Sequence, residues 1–356
     1  MTTSVIDNIT MATNETIINS TTAIPGDMTE DTNRITHNVH EMNIEMLKPI
    51  LSPEELSVHM VIEIILMVLI CTGNIPVLMS MYIYKCLHSV TNMFLVSLAI
   101  ADLMMGLFGC PLDILILYVM PLTYGHHIQD KWLCAARLFS HDLSVGASVF
   151  SMVGIAIDRF IAVKYPLRYC DLVTHKRAGI YICIIWVYCI IVSSGNFVGD
   201  IIKFGPGDIC RSNMVMDPKF ALFLKCNLGA SFLVSTIAHI VVAMFATHQR
   251  ARVASELAAF NNNLAVAYKK QNRITKTMSL IVGMFILCWL PWVLLSLVKF
   301  KRPEPKWYKH LFYFTVEISI ANSLINPWIY AFQLKLWKKA MRNVLFCRYQ
   351  AQISDD

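Results

Sequence analysis

Residues 95–103 have the sequence LVSLAIADL, an apolar run that is interrupted near its end by one carboxylate, Asp102. The run lies in an apolar window at residues 92–120. About 20 such residues suffice to cross a hydrocarbon layer roughly 30 Å thick. Because an ionisable side chain is costly inside a bilayer, it usually has a function there. The stretch therefore predicts a membrane-spanning helix that carries a functional polar group.

Further windows of the same kind occur along the chain. Of its 356 residues, 56% are hydrophobic and 15% are charged, whereas soluble domains carry about a quarter charged residues. Lipid is therefore the expected solvent for much of the surface. We predict an all-α membrane protein, a seven-transmembrane helix bundle with a short amphipathic C-terminal helix, whose spans lie near residues 57–84, 92–120, 131–164, 177–198, 218–247, 274–300 and 309–332.

The polarity of the chain divides it into four parts. We expect a disordered extracellular tail at 1–56, the seven-transmembrane domain at 57–332, an amphipathic membrane-surface helix at 333–347 and a cytoplasmic tail at 348–356. The third part places apolar residues on one face and lysines beside them, which is typical of a helix lying on a bilayer. Cys347 at its end is a candidate palmitoylation site, and the alternative is a free thiol.

The two ends of the chain are predicted to lie on opposite sides of a membrane. Three Asn-X-Ser/Thr sequons, at Asn8, Asn14 and Asn19, indicate glycosylation and hence an extracellular amino terminus. The connections predicted on the other side are basic, as the positive-inside rule requires of cytoplasmic segments. These loops account for the net charge of +6, so no nucleic-acid partner is expected. The prediction is a multi-pass plasma-membrane protein.

Short motifs occupy defined places in the predicted spans, and together they carry a resemblance. The chain is similar to the rhodopsin-like (class A) G protein-coupled receptors over about residues 57–347, through GN at 73–74, LAIAD at 98–102, Cys134, DRF at 158–160, Trp186, CWLP at 288–291 and NPWIY at 326–330. The resemblance implies a receptor that binds a small extracellular ligand within the helix bundle. It also implies activation of a heterotrimeric G protein through opening of the cytoplasmic face.

The family's functional residues transfer to matching positions of this chain. Asp158, Arg159 and Tyr330 resemble the residues that couple the bundle to the G protein, and the resemblance adds arrestin as a further partner. Cys134 and Cys210 resemble the family's extracellular disulfide, which would contribute about 2–4 kcal/mol. The alternative is a pair of unlinked thiols.

A sodium or switch site is implied around the central carboxylate. Its residues would be Asp102, Ser148, Trp289, Asn322 and Asn326. Carboxylate, hydroxyl and amide oxygens suit a hard monovalent cation, which would offset the cost of a buried charge. The alternative is a protonated Asp102 held by hydrogen bonds alone. No cofactor is expected besides this allosteric ion.

The ligand is less well specified. Candidate ligand-binding residues are His141, Asp142, Val145, Asn227, Trp289, Trp292, Ser296, Val316 and Ile320. The segments LVT at 172–174 and RA at 177–178, and Glu63, are similar to adenosine receptors. However, Ser296 and Ile320 stand where that subfamily has its adenine-contacting asparagine and ribose-contacting histidine.

An amine-type or small-peptide ligand is the alternative to an adenosine-like one. Amine receptors resemble this chain in the region of the DRF motif, but His141 occupies the position of their aspartate and Asp142 follows it. Either Asp142 or Glu317 then pairs with a cationic ligand, or Asp142 pairs with a protein group such as His141 or Lys225. Arg137, one turn away, would equally favour an acidic ligand.

Other classes of protein fit the sequence less well. There is no Gly-rich phosphate loop and no His/Cys cluster with metal-ligand spacing, so we do not expect an enzyme. A channel or transporter would need a continuous polar lining, and a transporter usually has internal repeats. A binding receptor that does not signal would not need Arg159 and Tyr330.

Overall fold

The computed structural model describes residues 51–348, except for 128, 166–167, 199–200, 205–209, 211–214, 261–276, 278–279, 282, 297 and 299–304. Within one long helix only the backbone is described at 239, 243 and 245–260. The predictions for the sequons at Asn8, Asn14 and Asn19, and for the tail beyond residue 348, lie outside the described residues.

The described chain folds almost entirely into helices. Their bounds are α1 Pro53–Ile83, α2 Val90–Tyr124, α3 Lys131–Lys164, α4 His175–Ser194, α5 Pro218–Phe260, α6 Gly283–Ser296, α7 Lys306–Gln333 and α8 Lys335–Leu345. By length and composition, α1, α2, α3, α4 and the Pro218–Val242 part of α5 are able to cross a membrane. The prediction of an all-α bundle with a short C-terminal helix is confirmed.

Local sequence sets where these helices begin. The Ser52 side chain accepts a hydrogen bond from the backbone of Glu55, and the Glu55 carboxylate accepts one from the backbone of Ser52 at 2.8 Å. This reciprocal pair satisfies two amide groups that a helix start leaves open. Single caps of the same kind, from Ser89, Asp130 and Thr174, begin α2, α3 and α4.

Helix α2 departs from regular α-helical geometry in two places. Wider π-helical turns span Met105–Gly109 and Ile114–Val119, on either side of a short α-helical segment. A π turn inserts residues without breaking the helix, and such turns are frequent at functional sites. Gly106 lies in the first of them, where an added Cβ would come within 3.0 Å of Cys71 on α1. The small residue therefore permits close packing of α1 on α2.

Helix α3 is the centre of the described bundle. It packs against α2, α4 and α5, whereas α1 packs against α2, α7 and α8. The outer surface is apolar, as lipid exposure requires. On α4, Ile180, Ile184, Val187 and Ile191 fall on one face and are 52%, 62%, 56% and 67% exposed. Such a stripe is stable in contact with acyl chains rather than water.

Candidate functional site

A disulfide marks one end of the bundle. Cys134, in the first turn of α3, is bonded to Cys210, and their Cα atoms lie 5.6 Å apart. Both residues are buried. The predicted pairing is confirmed, and the part of the bundle beside it is called the disulfide end below.

A cavity of about 110 Å³ opens among α3, α5, α6 and α7 near the disulfide end. Most of the predicted ligand-binding residues lie along it, namely His141, Asp142, Val145, Trp289, Trp292, Ser296 and Val316. Asn227 instead lines a neighbouring cavity. Ile320 lines neither and is buried in the core.

Arg137 and His141, which line this cavity, belong to an ion cluster centred on Asp113 of α2, a residue that is itself fully buried. The Asp113 carboxylate accepts hydrogen bonds from Arg137 Nε and, at 2.7 Å, pairs with His141 Nε2. Arg137 Nη1 also donates to the carbonyl of Cys210 at 2.9 Å. The charge of Arg137 is therefore neutralised within the protein, which argues against the alternative of Arg137 as the anchor for an acidic ligand.

Asp142 lies beside this cluster but has a different partner. Its Oδ2 accepts a hydrogen bond from Asn196 Nδ2 at 2.8 Å. Asn196 belongs to a turn of 3-10 helix that follows α4. Asp142 thus pairs with a protein group, although the partner is neither His141 nor Lys225.

Helices α1 and α7 add further buried charge at the disulfide end. His59 Nδ1 lies 2.7 Å from Glu317 Oε1. Glu63 is fully buried, and neither of its carboxylate oxygens has a hydrogen-bond partner among the described residues. Glu63, which resembles a glutamate of adenosine receptors, does not line the cavity.

Aromatic side chains connect the cavity to the interior of the bundle. Trp292 and Trp289 both line the cavity, and their ring centroids lie 5.9 Å apart. Trp289 stacks on Phe285 at 6.0 Å, and Phe285 contacts Phe232 of α5 at 4.9 Å. Packed aromatic rings therefore connect Trp292 at the cavity to the core between α5 and α6.

Asp102 is fully buried in the centre of the bundle. Its Oδ2 accepts a hydrogen bond from Asn326 at 2.8 Å, which joins α2 to α7. Asp102 Oδ1 and Asn322 Oδ1 have no hydrogen-bond partner among the described residues. Ser148 and Trp289, the other two residues of the predicted switch site, are also buried.

A second ion cluster lies at the opposite end of α3. Asp158 Oδ2 accepts from Arg159 Nη2 at 2.6 Å and from Thr91 Oγ1 at 2.8 Å, and Asp158 Oδ1 accepts from Tyr169 at 2.7 Å. Arg159 is only 2% exposed, and its Nη1 has no hydrogen-bond partner among the described residues. Tyr330, also buried, packs against Trp337 of α8. Arg159 is thus held inside the bundle.

Comparison with known proteins agrees with this architecture. The family model of the 7 transmembrane receptor (rhodopsin family) matches residues 73–330, which is most of the chain. The chain belongs to the rhodopsin family of seven-transmembrane receptors. Members of this family are G protein-coupled signalling receptors and not enzymes, and they are multi-pass proteins of the plasma membrane.

Individual relatives of this receptor fall into two groups. It is 29% identical to adenosine receptor A2b of Gallus gallus over 81% of its own chain and 88% of the relative. It is 28% identical to adenosine receptor A2a of Homo sapiens over 81% and 72%. It is also 28% identical to the alpha-1A adrenergic receptor of Oryctolagus cuniculus over 77% and 64%. The resemblance to adenosine and amine-type receptors is confirmed.

We did not identify Asp113 as a site residue from the sequence, although its two partners, Arg137 and His141, line the receptor's cavity. Asp113 sits in the sequence GCPLDILI at 109–116, where it is one polar residue in an apolar run. Because an ionisable residue within a membrane-spanning segment usually has a function, the sequence alone was sufficient to identify Asp113 as a candidate. Its two partners on α3 are visible only in the fold, because the π turn Met105–Gly109 decides which way Asp113 faces.

Proposed function

We propose that this receptor is a ligand-operated switch in which a small extracellular molecule, bound at the disulfide end, releases Arg159 for contact with a heterotrimeric G protein. The amino terminus is extracellular in this proposal, and residues 335–345 lie on the cytoplasmic leaflet. The observation that carries the proposal is the burial of Arg159, because a buried guanidinium has to leave Asp158 before a partner can bind it.

Two states of unequal population follow from this geometry. In the closed state Arg159 is stabilised by Asp158, and in the open state it is stabilised by the G protein. A ligand shifts the equilibrium only by the difference between its affinities for the two states. The stack of Trp292, Trp289 and Phe285 supports the coupling, because it links the cavity wall to the packing of α6 on α5.

A sodium ion at Asp102 would stabilise one of these states. The fit is supported by chemistry, since Asp102 Oδ1 and Asn322 Oδ1 are buried oxygen acceptors without partners among the described residues. Oxygen ligands of this kind suit a hard cation. Ser148 and Asn326 would complete the site together with Trp289, and the ion would neutralise the carboxylate.

Two expected features at the cytoplasmic side remain part of the proposal. Cys347 follows α8 with an exposed side chain, which supports palmitoylation there. The amphipathic α8, with Lys335, Lys338 and Lys339, would place that thiol at the lipid surface. Arrestin would then bind the same open face as the G protein.

The ligand class is open among an amine, an adenosine-like compound and a small peptide. The named relatives include both adenosine and adrenergic receptors at nearly equal identity, so they do not favour one of the two. The cavity lies between helices of the bundle and is lined by apolar and aromatic side chains with a few polar groups, as small-molecule sites are, which supports the first two alternatives over a peptide.

Guanine-nucleotide exchange in membranes tests the switch without knowledge of the ligand. With purified heterotrimers, Asp158→Asn is expected to raise basal exchange several-fold, because it weakens the closed state by removing one charge. Arg159→Ala in the same background should abolish the gain. Lys219→Gln, on the exposed start of α5, serves as the control. Equal basal exchange by the single and the double variant would contradict the proposal.

A further inference from the structure

Two cavities meet at one wall near the disulfide end. The cavity of about 110 Å³ and a second one of about 100 Å³ are lined in common by Asp142, Val145, Lys225, Leu228 and Trp292. The second cavity extends between α3, α4 and α5 towards Phe150 and Tyr188. These five side chains are therefore accessible to a ligand in either cavity.

Two of the charged or titratable side chains near this wall already pair with another residue of the protein. Arg137 and His141 both pair with Asp113. Among the described residues that line both cavities, Lys225 carries a positive charge and Asp142 a negative one. Lys225 is half-buried and has no ion pair or hydrogen bond among the described residues. Asp142 has one hydrogen bond, from the neutral amide of Asn196.

Lys225 and Asp142 are both partly buried, and neither has an ion-pair partner among the described residues. A charged group that loses water without gaining an ionic partner is strongly disfavoured. Lys225 and Asp142 do not satisfy each other, since no contact within 4.0 Å joins them, although both line the same two cavities. The site therefore offers one place for an anionic group and another for a cationic group.

The remainder of the shared wall is apolar. Val145, Leu228 and Trp292 line both cavities together with the two charged residues, and Trp289 and Phe312 also line the first cavity. This combination suits a hydrocarbon or aromatic body with charged groups attached to it. A simple amine would satisfy Asp142 but would bring a second positive charge close to Lys225.

We infer that the ligand of this receptor is a small zwitterion of the amino-acid type, with its carboxylate on Lys225, its ammonium on Asp142 and an apolar or aromatic body against Trp292. The inference rests on the proposed function, because it places the ligand in the switch cavity. Asn196 acts here as a positioning residue that orients Asp142.

Direct binding to the purified receptor, with no G protein present, tests the inference separately from signalling. The probes are two shape-matched series, L-tryptophan with tryptamine and indole-3-propionate, and L-leucine with isoamylamine and 4-methylpentanoate. Binding is measured by calorimetry and by the rise in melting temperature that a ligand of the folded state produces. In at least one series, the zwitterion should bind about tenfold more tightly than both singly charged analogues.

The variants assign each charge to its side chain. Lys225→Gln should remove the preference for the zwitterion over the amine, and Asp142→Asn should remove the preference over the acid. Lys219→Gln, a lysine of the same helix that lines none of these cavities, should change neither preference.

Failure of the inference is distinguishable from failure of the switch. If the amines bind as tightly as the zwitterions, or if no probe of either series binds, the zwitterion assignment is overturned. The same holds if the preferences survive both substitutions. Basal nucleotide exchange by Asp158→Asn would still report on the switch in each of these cases.

Discussion

Both ends of α3 carry a buried arginine beside a buried aspartate, yet the two pairs are built differently. At the disulfide end, Arg137 joins Asp113 of another helix and the carbonyl of Cys210. At the other end, Arg159 joins its own neighbour Asp158, and the remaining partners are the hydroxyls of Thr91 and Tyr169. The first pair ties three chain segments together, whereas the second leaves Arg159 attached mainly to its own helix.

The difference indicates which end is fixed and which can rearrange. Moving Arg137 away would strand Asp113, which is fully buried on α2, and would release the disulfide-bonded segment. Moving Arg159 away leaves Asp158 with two hydroxyl donors. A switch needs a region that can adopt two arrangements at modest cost. The Arg159 end has that property, and the Arg137 end provides the rigid frame for the cavity.

The largest expected effect comes from removing the fixed arginine. Arg137→Met should lower the stability by about 3 kcal/mol, because a buried carboxylate loses its main partner and only His141 remains. Arg159→Met should lower it by clearly less, about 1–2 kcal/mol, since Thr91 and Tyr169 continue to bind Asp158. Thermal unfolding of both variants in the same detergent compares them. Equal losses would remove the distinction between a fixed and a movable end.

An effect of similar size is expected from the disulfide. The double variant Cys134→Ser with Cys210→Ser should lose about 2–4 kcal/mol of stability. It should also reduce the effect of a subsequent Arg137→Met, because the carbonyl of Cys210 is then no longer held in place for that arginine. A double-mutant cycle measures this coupling. Strict additivity of the two changes would show that the segment is held independently of the disulfide.

The smallest effect is expected at Tyr169. Burial, and then the neighbouring Asp158 carboxylate, raise the pKa of Tyr169 to about 12 from its ordinary value of 10.0. A raised pKa means that the stabilisation is fully present below pH 10 and is lost as the pH rises towards 12. Tyr169→Phe should therefore cost about 1 kcal/mol, equally at pH 7 and pH 9. A loss that disappears at pH 9 would assign the hydroxyl a different role.

Much of the fold could be predicted from the sequence, because the helices are specified by short segments of the chain. Apolar length predicts a span, and Ser, Thr or Asp before such a run predicts its start, as at Ser89 and Asp130. The predicted start of the third span, at residue 131, coincides with that of α3 because Asp130 caps it. The contact of Asp102 with Asn326 was expected from the resemblance and is present.

The pairing of charged residues at the disulfide end could not be predicted from the sequence. Which groups meet across two helices depends on the rotation of each helix, and the π turn Met105–Gly109 changes that rotation between Asp102 and Asp113. Likewise, the partner of Asp142 lies in a 3-10 turn beyond the regular part of α4. A regular 3.6-residue period describes neither segment, so sequence spacing gave no partner for Asp113 and the wrong candidates for Asp142.

The π turn Met105–Gly109 allows one half of α2 to change its orientation independently of the other. Each residue of a helix rotates the following part by about 100°. Loss of one residue from this turn would restore ordinary winding and bring a different side chain to face Arg137, while Asp102 and the half of α2 before it would stay where they are. A single-codon deletion can thus re-specify the ligand-facing half of α2 and leave the switch half unaltered.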